Sequence, residues 1–105
     1  MDRTRWHGLT LPQQMGNIGS EIARARHWKG PGDKTHRDAA IERALELIDL
    51  TLCDPRRRTG LREISRLREV VSDWYLGCGA YDVSPESLQE YCTNFVLYAA
   101  AAGRG

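Results

Sequence analysis

Asp38, Glu42, Glu46 and Asp49 follow one another at steps of four, four and three residues, so a helix carries all these carboxylates on one flank. Acids in such a row can hold Mg²⁺ together with substrate phosphates. On an exposed helix the same row is a solvated face, here expected opposite Arg62 and Arg66 of the following helix. A second pattern is the stripe Asn17, Glu21, Arg24 and Trp28 at i, i+4, i+7 and i+11, which borders an apolar face. Arg68 stands among Leu61, Ile64, Val71 and Tyr75, a setting in which a cation needs a partner, and Glu21 is the first choice. Asn17, Glu21, Arg24, Trp28 and Arg68 are therefore read either as an ionic tie that fixes how helices dock or as a polar ligand pocket between them. Arg37 falls inside its helix's apolar arc in the same way.

Other reactive residue types form no recognisable constellation. His7, His27 and His36 include no i, i+4 pair for zinc, although His27 and His36 flank the Gly30–Asp33 turn. Cys53, Cys78 and Cys92 contain no Cys-x-x-Cys and read as reduced thiols, with Cys92 on an inner helix face and Cys78 the most reachable. No Gly-x-Ser-x-Gly, P-loop or dinucleotide fingerprint occurs. No catalytic residue, metal ligand or cofactor is assigned. Arg56, Arg57 and Arg58 offer planar donors to phosphate without interleaved aromatics, and read as a solvated turn.

Apolar spacing at the helical period positions these residues. Thr10-Leu11-Pro12-Gln13 is a capping box that opens a first helix ending near Lys29, ahead of Gly30-Pro31-Gly32. Its inner face is Leu11, Met15, Ile18, Ile22 and Ala25. A second helix spans about Asp33 to Cys53 and stops at Asp54-Pro55, with Ala40, Ile41, Ala44, Leu45, Leu47, Ile48 and Leu52 inside. The third runs from about Thr59 to Leu76 on Leu61, Ile64, Leu67, Val71, Trp74 and Tyr75. Ser84 caps the fourth, with Pro85 in its first turn and a Val83–Leu88 staple; Leu88, Tyr91, Phe95, Tyr98, Ala99 and Ala102 face inward. Gly16, Gly19 and Ala23 make a small-residue strip on the first helix, suited to close helix–helix contact or to a ligand against the backbone. The expected fold is all-α, an antiparallel up-and-down four-helix bundle over residues 10–103, with residues 1–9 an arm loosely attached through Trp6.

The 105 residues suit one domain, and a net charge of +1 argues against general nucleic-acid binding. No apolar run approaches the ~20 residues of a membrane span, and no apolar segment follows Met1–Arg5, so a cytoplasmic chain is expected. Charge is segregated: residues 56–68 sum to +5 and residues 69–103 to −5. That polarity, with Leu50, Val70 and Leu97 outside their apolar arcs, points to self-association as a homodimer.

Two resemblances bear on function. Glu46-x-x-Asp49 and Glu69-x-x-x-Asp73 resemble in part the all-α nucleotide pyrophosphohydrolases, which carry Glu-x-x-Glu on one helix and Glu-x-x-Asp on the next; no Glu-x-x-Glu occurs here. Gly16-Asn17-Ile18-Gly19-Ser20-Glu21-Ile22-Ala23-Arg24-Ala25 and Ala44-Leu45-Glu46-Leu47-Ile48-Asp49-Leu50, with the size and helix number, resemble the HEPN (higher eukaryote and prokaryote nucleotide-binding) bundles. That resemblance implies either RNA cleavage by an Arg-x4–6-His motif or binding to a nucleotidyltransferase partner. The spacings here are Arg3-x3-His7, Arg24-x2-His27 and Arg26-x9-His36, so the RNase motif is missing and a binding role is what remains. The expected function is a non-catalytic bundle that binds a protein partner or small ligand in an inter-helix polar pocket; the alternative is an enzyme acting on nucleotides or RNA.

Overall fold

The computed structural model describes residues 3–28, 30–57, 60–77 and 84–102, leaving aside the side chains of residues 95–102. The elements in order are α1 (Arg3–His7), α2 (Leu11–His27), α3 (Lys34–Leu52), a 3₁₀ turn (Pro55–Arg57), α4 (Leu61–Leu76) and α5 (Pro85–Ala102). No strand occurs among the described residues. No helix is long and apolar enough to cross a membrane among them.

Local chemistry sets the helix ends. Thr10 Oγ1 accepts from Gln13 N at 3.3 Å while Gln13 Oε1 accepts from Thr10 N at 2.9 Å, completing the capping box. Ser84 Oγ accepts from Ser87 N at 3.1 Å and caps α5; the Val83 staple lies outside the described residues. α4 closes on Gly77, whose φ of 70° is the left-handed conformation that a side chain disfavours. α2 is central, packing on α3 and α5, and α3 packs in turn on α4. Met15, Ile18, Ile22 and Ala25 of α2 meet Ala40, Ile41, Ala44 and Ile48 of α3 and Ile64, Leu67 and Val71 of α4 in one core.

Three expectations change. The N-terminal arm is not loose: it holds the α1 turn, and Trp6 is 0% exposed within the core. Val70 is 8% exposed and joins the core, and Leu50 packs against it, so neither lies on an outer face. Leu97 is outside the described side chains, as are Cys78 and Arg58. Cys92 is buried between helices, which pushes its thiol pKa up to about 12 and leaves it inert, whereas Cys53 is exposed.

The small-residue strip divides into two roles. A Cβ built on Gly19 would sit 3.1 Å from Cys92 Cβ of α5, so hydrogen at this position sets the α2–α5 approach. At Gly16 an added Cβ meets nothing within 4 Å. Gly16→Ala should therefore stabilise the protein by about 0.5–1 kcal/mol through helix propensity. Gly19→Val should destabilise it by about 1–3 kcal/mol through overpacking. Thermal denaturation of the two variants checks both signs.

Candidate functional site

The residues expected to share one pocket are dispersed. Asn17 is exposed, and its Nδ2 donates to Gln13 O, 2.9 Å away in the same helix. Glu21 accepts from Arg24 Nη1 at 3.1 Å and from Arg43 Nε at 3.1 Å, so it ties α2 to α3. Arg68 does not reach for Glu21. Its partner is Asp49 of α3, whose bond holds the Arg68 pKa up. The physical reason is adjacency: α4 packs on α3, and α3 presents its own acids to that seam. Tyr75 of α4 uses the same flank, donating to Glu42 Oε1 at 2.9 Å. Asp38 takes Lys34 one turn earlier. Two acids of the row, Glu42 and Asp49, thus tie α3 to α4 through Tyr75 and Arg68, while Asp38 pairs with Lys34 within α3. Among the described residues no three His, Cys, Asp or Glu are grouped to hold a metal.

Trp28 lines a cleft. It follows α2 as the C-cap residue, and its ring stacks on His36 with centroids 4.5 Å apart, while His27 meets it edge-on at 5.2 Å. The two histidines flanking the turn are therefore brought to one indole. Beside them is a cleft of about 210 Å³ lined by Arg26, Trp28, Arg37, Trp74 and Glu86, with Ala25 and Pro85 as apolar floor. All four long helices supply a wall or an edge. Arg26 is engaged: Nη2 lies 3.4 Å from Glu86 Oε1 and Nη1 donates to Gln89 Oε1. Its Nε is buried and has no acceptor among the described residues, an omission that costs about 1–3 kcal/mol. Among the described residues the Arg37 guanidinium has only Asp38, at 4.0 Å, and Asp38 already holds Lys34. The cleft therefore offers two half-buried indoles, one neutralised Arg–Glu pair and one guanidinium with donors to spare. Stacking and charge-assisted hydrogen bonding are the chemistry this arrangement supports.

The opposite end of α2 holds a polar cluster that sequence reading passed over. Trp6 Nε1 donates to Thr51 Oγ1 at 2.9 Å. Gln14, 0% exposed, donates through Nε2 to Trp6 O at 3.0 Å and to Asp54 Oδ2 at 3.1 Å, and accepts from Arg57 Nε at 2.9 Å. Arg56 Nη2 bonds Asp54 Oδ2 at 2.7 Å and Leu9 O at 2.6 Å. His7 Nε2 lies 2.9 Å from Leu50 O, so that nitrogen carries the proton. The Arg56 bonds hold the Asp54 carboxyl well below the usual carboxylate range, overcoming the upward push of burial; Gln14 and the Arg57 charge add to the depression. The arginine turn is consequently not wholly solvated: Arg57 is buried, and Arg56, though exposed, is bonded to Asp54. Gln14 lies within the Leu11–Met15–Ile18 face, and Thr51 follows Ala44 and Ile48 at helical spacing, so their burial had a signal in the sequence.

No known protein family, curated protein or solved structure matches this chain. The cleft must be judged on its own chemistry. Its two indoles and two guanidiniums come from segments as far apart as Arg26 and Trp74, which only tertiary packing joins. The corner cluster, by contrast, has its donors and acceptors paired with one another and reads as structural.

Proposed function

We propose that this chain is a small, non-catalytic cytoplasmic protein, an antiparallel up-and-down four-helix bundle that self-associates and binds a small ligand in the cleft around Trp28, Arg37 and Trp74. The observation that carries this reading is the convergence of two indoles and an under-used guanidinium from three helices on one inter-helix opening. A flat ring suits the indoles, and a carboxylate or phosphate suits Arg37. Size limits the ligand further. Space of about 210 Å³ is below the usual 300–1,000 Å³ of drug-sized pockets, so a single ring bearing one anionic group fits and a dinucleotide does not.

Calorimetric titration with phenylacetate and with phenyl phosphate tests the reading and separates carboxylate from phosphate. The expected result is sub-millimolar binding of at least one probe, weakened about tenfold by Arg37→Gln and by Trp74→Ala. Absence of binding by both probes at millimolar concentration, or equal binding by the variants, would overturn it.

A further inference from the structure

α5 brings Glu86 to the cleft that α2, α3 and α4 wall with Arg26, Trp28, Arg37 and Trp74. Glu86 pairs with Arg26, and the pair cancels in net charge without cancelling in position. The Arg26 side chain is 27% exposed and its Nε is buried, whereas the Glu86 side chain is 53% exposed. The cation is sunk in the wall and the anion stands at the opening. Their contact, 3.4 Å, is longer than the roughly 2.7–2.9 Å of a close charge-assisted bond, and Arg26 Nη1 is committed to Gln89. A carboxylate offers about four acceptor positions, so Glu86 can add a ligand's N–H donor to its partners within the chain.

The cleft is therefore bipolar, with a guanidinium from α3 and a carboxylate from α5 in one lining. A ligand with only an anionic group satisfies Arg37 and meets a like charge at Glu86. An ammonium on the same ligand turns that repulsion into attraction, and the faces of the two indoles favour a cation as well. Space of about 210 Å³ keeps the two ligand charges close together, as they are on a single α-carbon. We infer that the ligand is zwitterionic, a single-ring aromatic amino acid with its carboxylate on Arg37, its ammonium on Glu86 and its ring against the indoles. This rests on the ligand cleft proposed above and names the class of molecule it takes. Glu86 is then the residue that distinguishes an amino acid from a simple aromatic acid.

Calorimetric titration of the full chain with L-phenylalanine, set beside phenylacetate and phenyl phosphate, tests this. L-Phenylalanine should bind about fivefold more tightly than phenylacetate, a modest gain because Glu86 is half-exposed. Glu86→Gln should bring the two affinities together, and circular dichroism verifies that the variant remains folded. The ratio of affinities is the readout, since a merely structural effect of the substitution shifts both ligands alike. L-Phenylalanine that binds no more tightly than phenylacetate, or that fails to bind while phenyl phosphate binds, overturns the zwitterion and leaves the cleft standing. A preference that survives Glu86→Gln likewise overturns it. Absence of binding by all the probes at millimolar concentration overturns the cleft and its ligand class together.

Discussion

Asp54→Ala should lower the unfolding free energy by about 3–5 kcal/mol, the usual cost of taking one partner from a buried ion pair. The carboxylate is 3% exposed and accepts from Gln14 and Arg56, with Arg57 Nη2 3.7 Å away. Arg56 is exposed and can turn to water, but Arg57 is only 9% exposed and would keep a charge with its carboxylate gone. Burial and the neighbouring Arg56 already draw the Arg57 pKa down. The pH dependence has a definite sign. The folded pKa of Asp54 lies below the ~3.9 of an unfolded aspartate, so the unfolded chain binds more protons between the two values. This contribution is complete above about pH 4 and drains away as acidification carries the pH toward the folded value. Urea denaturation across the acid range should show the gap between wild type and Asp54→Ala narrowing as pH falls. A gap that stays constant from neutrality to about pH 3 would remove Asp54 from the argument.

Trp6→Ala should cost about 3–5 kcal/mol, as large aromatic truncations in packed cores do. The indole is wholly buried, and its loss empties the contact between α1 and α3. Its backbone carbonyl also receives Gln14, so undocking α1 would disturb the Asp54 cluster. Trp6→Phe separates the contributions. It keeps most of the packing and forfeits one hydrogen bond, for about 1 kcal/mol. Thr51 Oγ1 would still donate to Leu47 O at 2.8 Å. Chemical denaturation measures both variants, and tryptic cleavage after Arg3 or Arg5 should accelerate in the alanine variant first. Equal stability of all three proteins would mean that α1 contributes nothing to the fold.

Helices and caps were legible because they follow from local rules. The Thr10–Gln13 box, the Ser84 cap and the glycine stop at Gly77 each satisfy or end a single turn, and the inner faces of α2, α3 and α4 repeat at the helical period. Partners were less legible. Arg68 shows in its spacing that it needs an acid, but nothing in that spacing distinguishes Glu21 of α2 from Asp49 of α3; only the packing of α4 on α3 decides. Trp28 was found, whereas Arg26 and Trp74 were not drawn to it, since cleft walls from four helices share no sequence period. The arginine turn misled for a related reason. A run of Arg after Asp-Pro looks hydrated until Gln14 and Asp54 are seen waiting inside to receive Arg57.

The three tryptophans end up in two unlike surroundings, and this gives the chain a built-in optical readout. Trp6 is sealed from water at the α1–α3 contact, while Trp28 and Trp74 are half-buried at the cleft. A dissolved quencher such as iodide meets the latter two and misses the first. Emission that iodide can extinguish thus reports occupancy of the cleft, and the residual emission reports whether the distant corner is intact, with no dye attached.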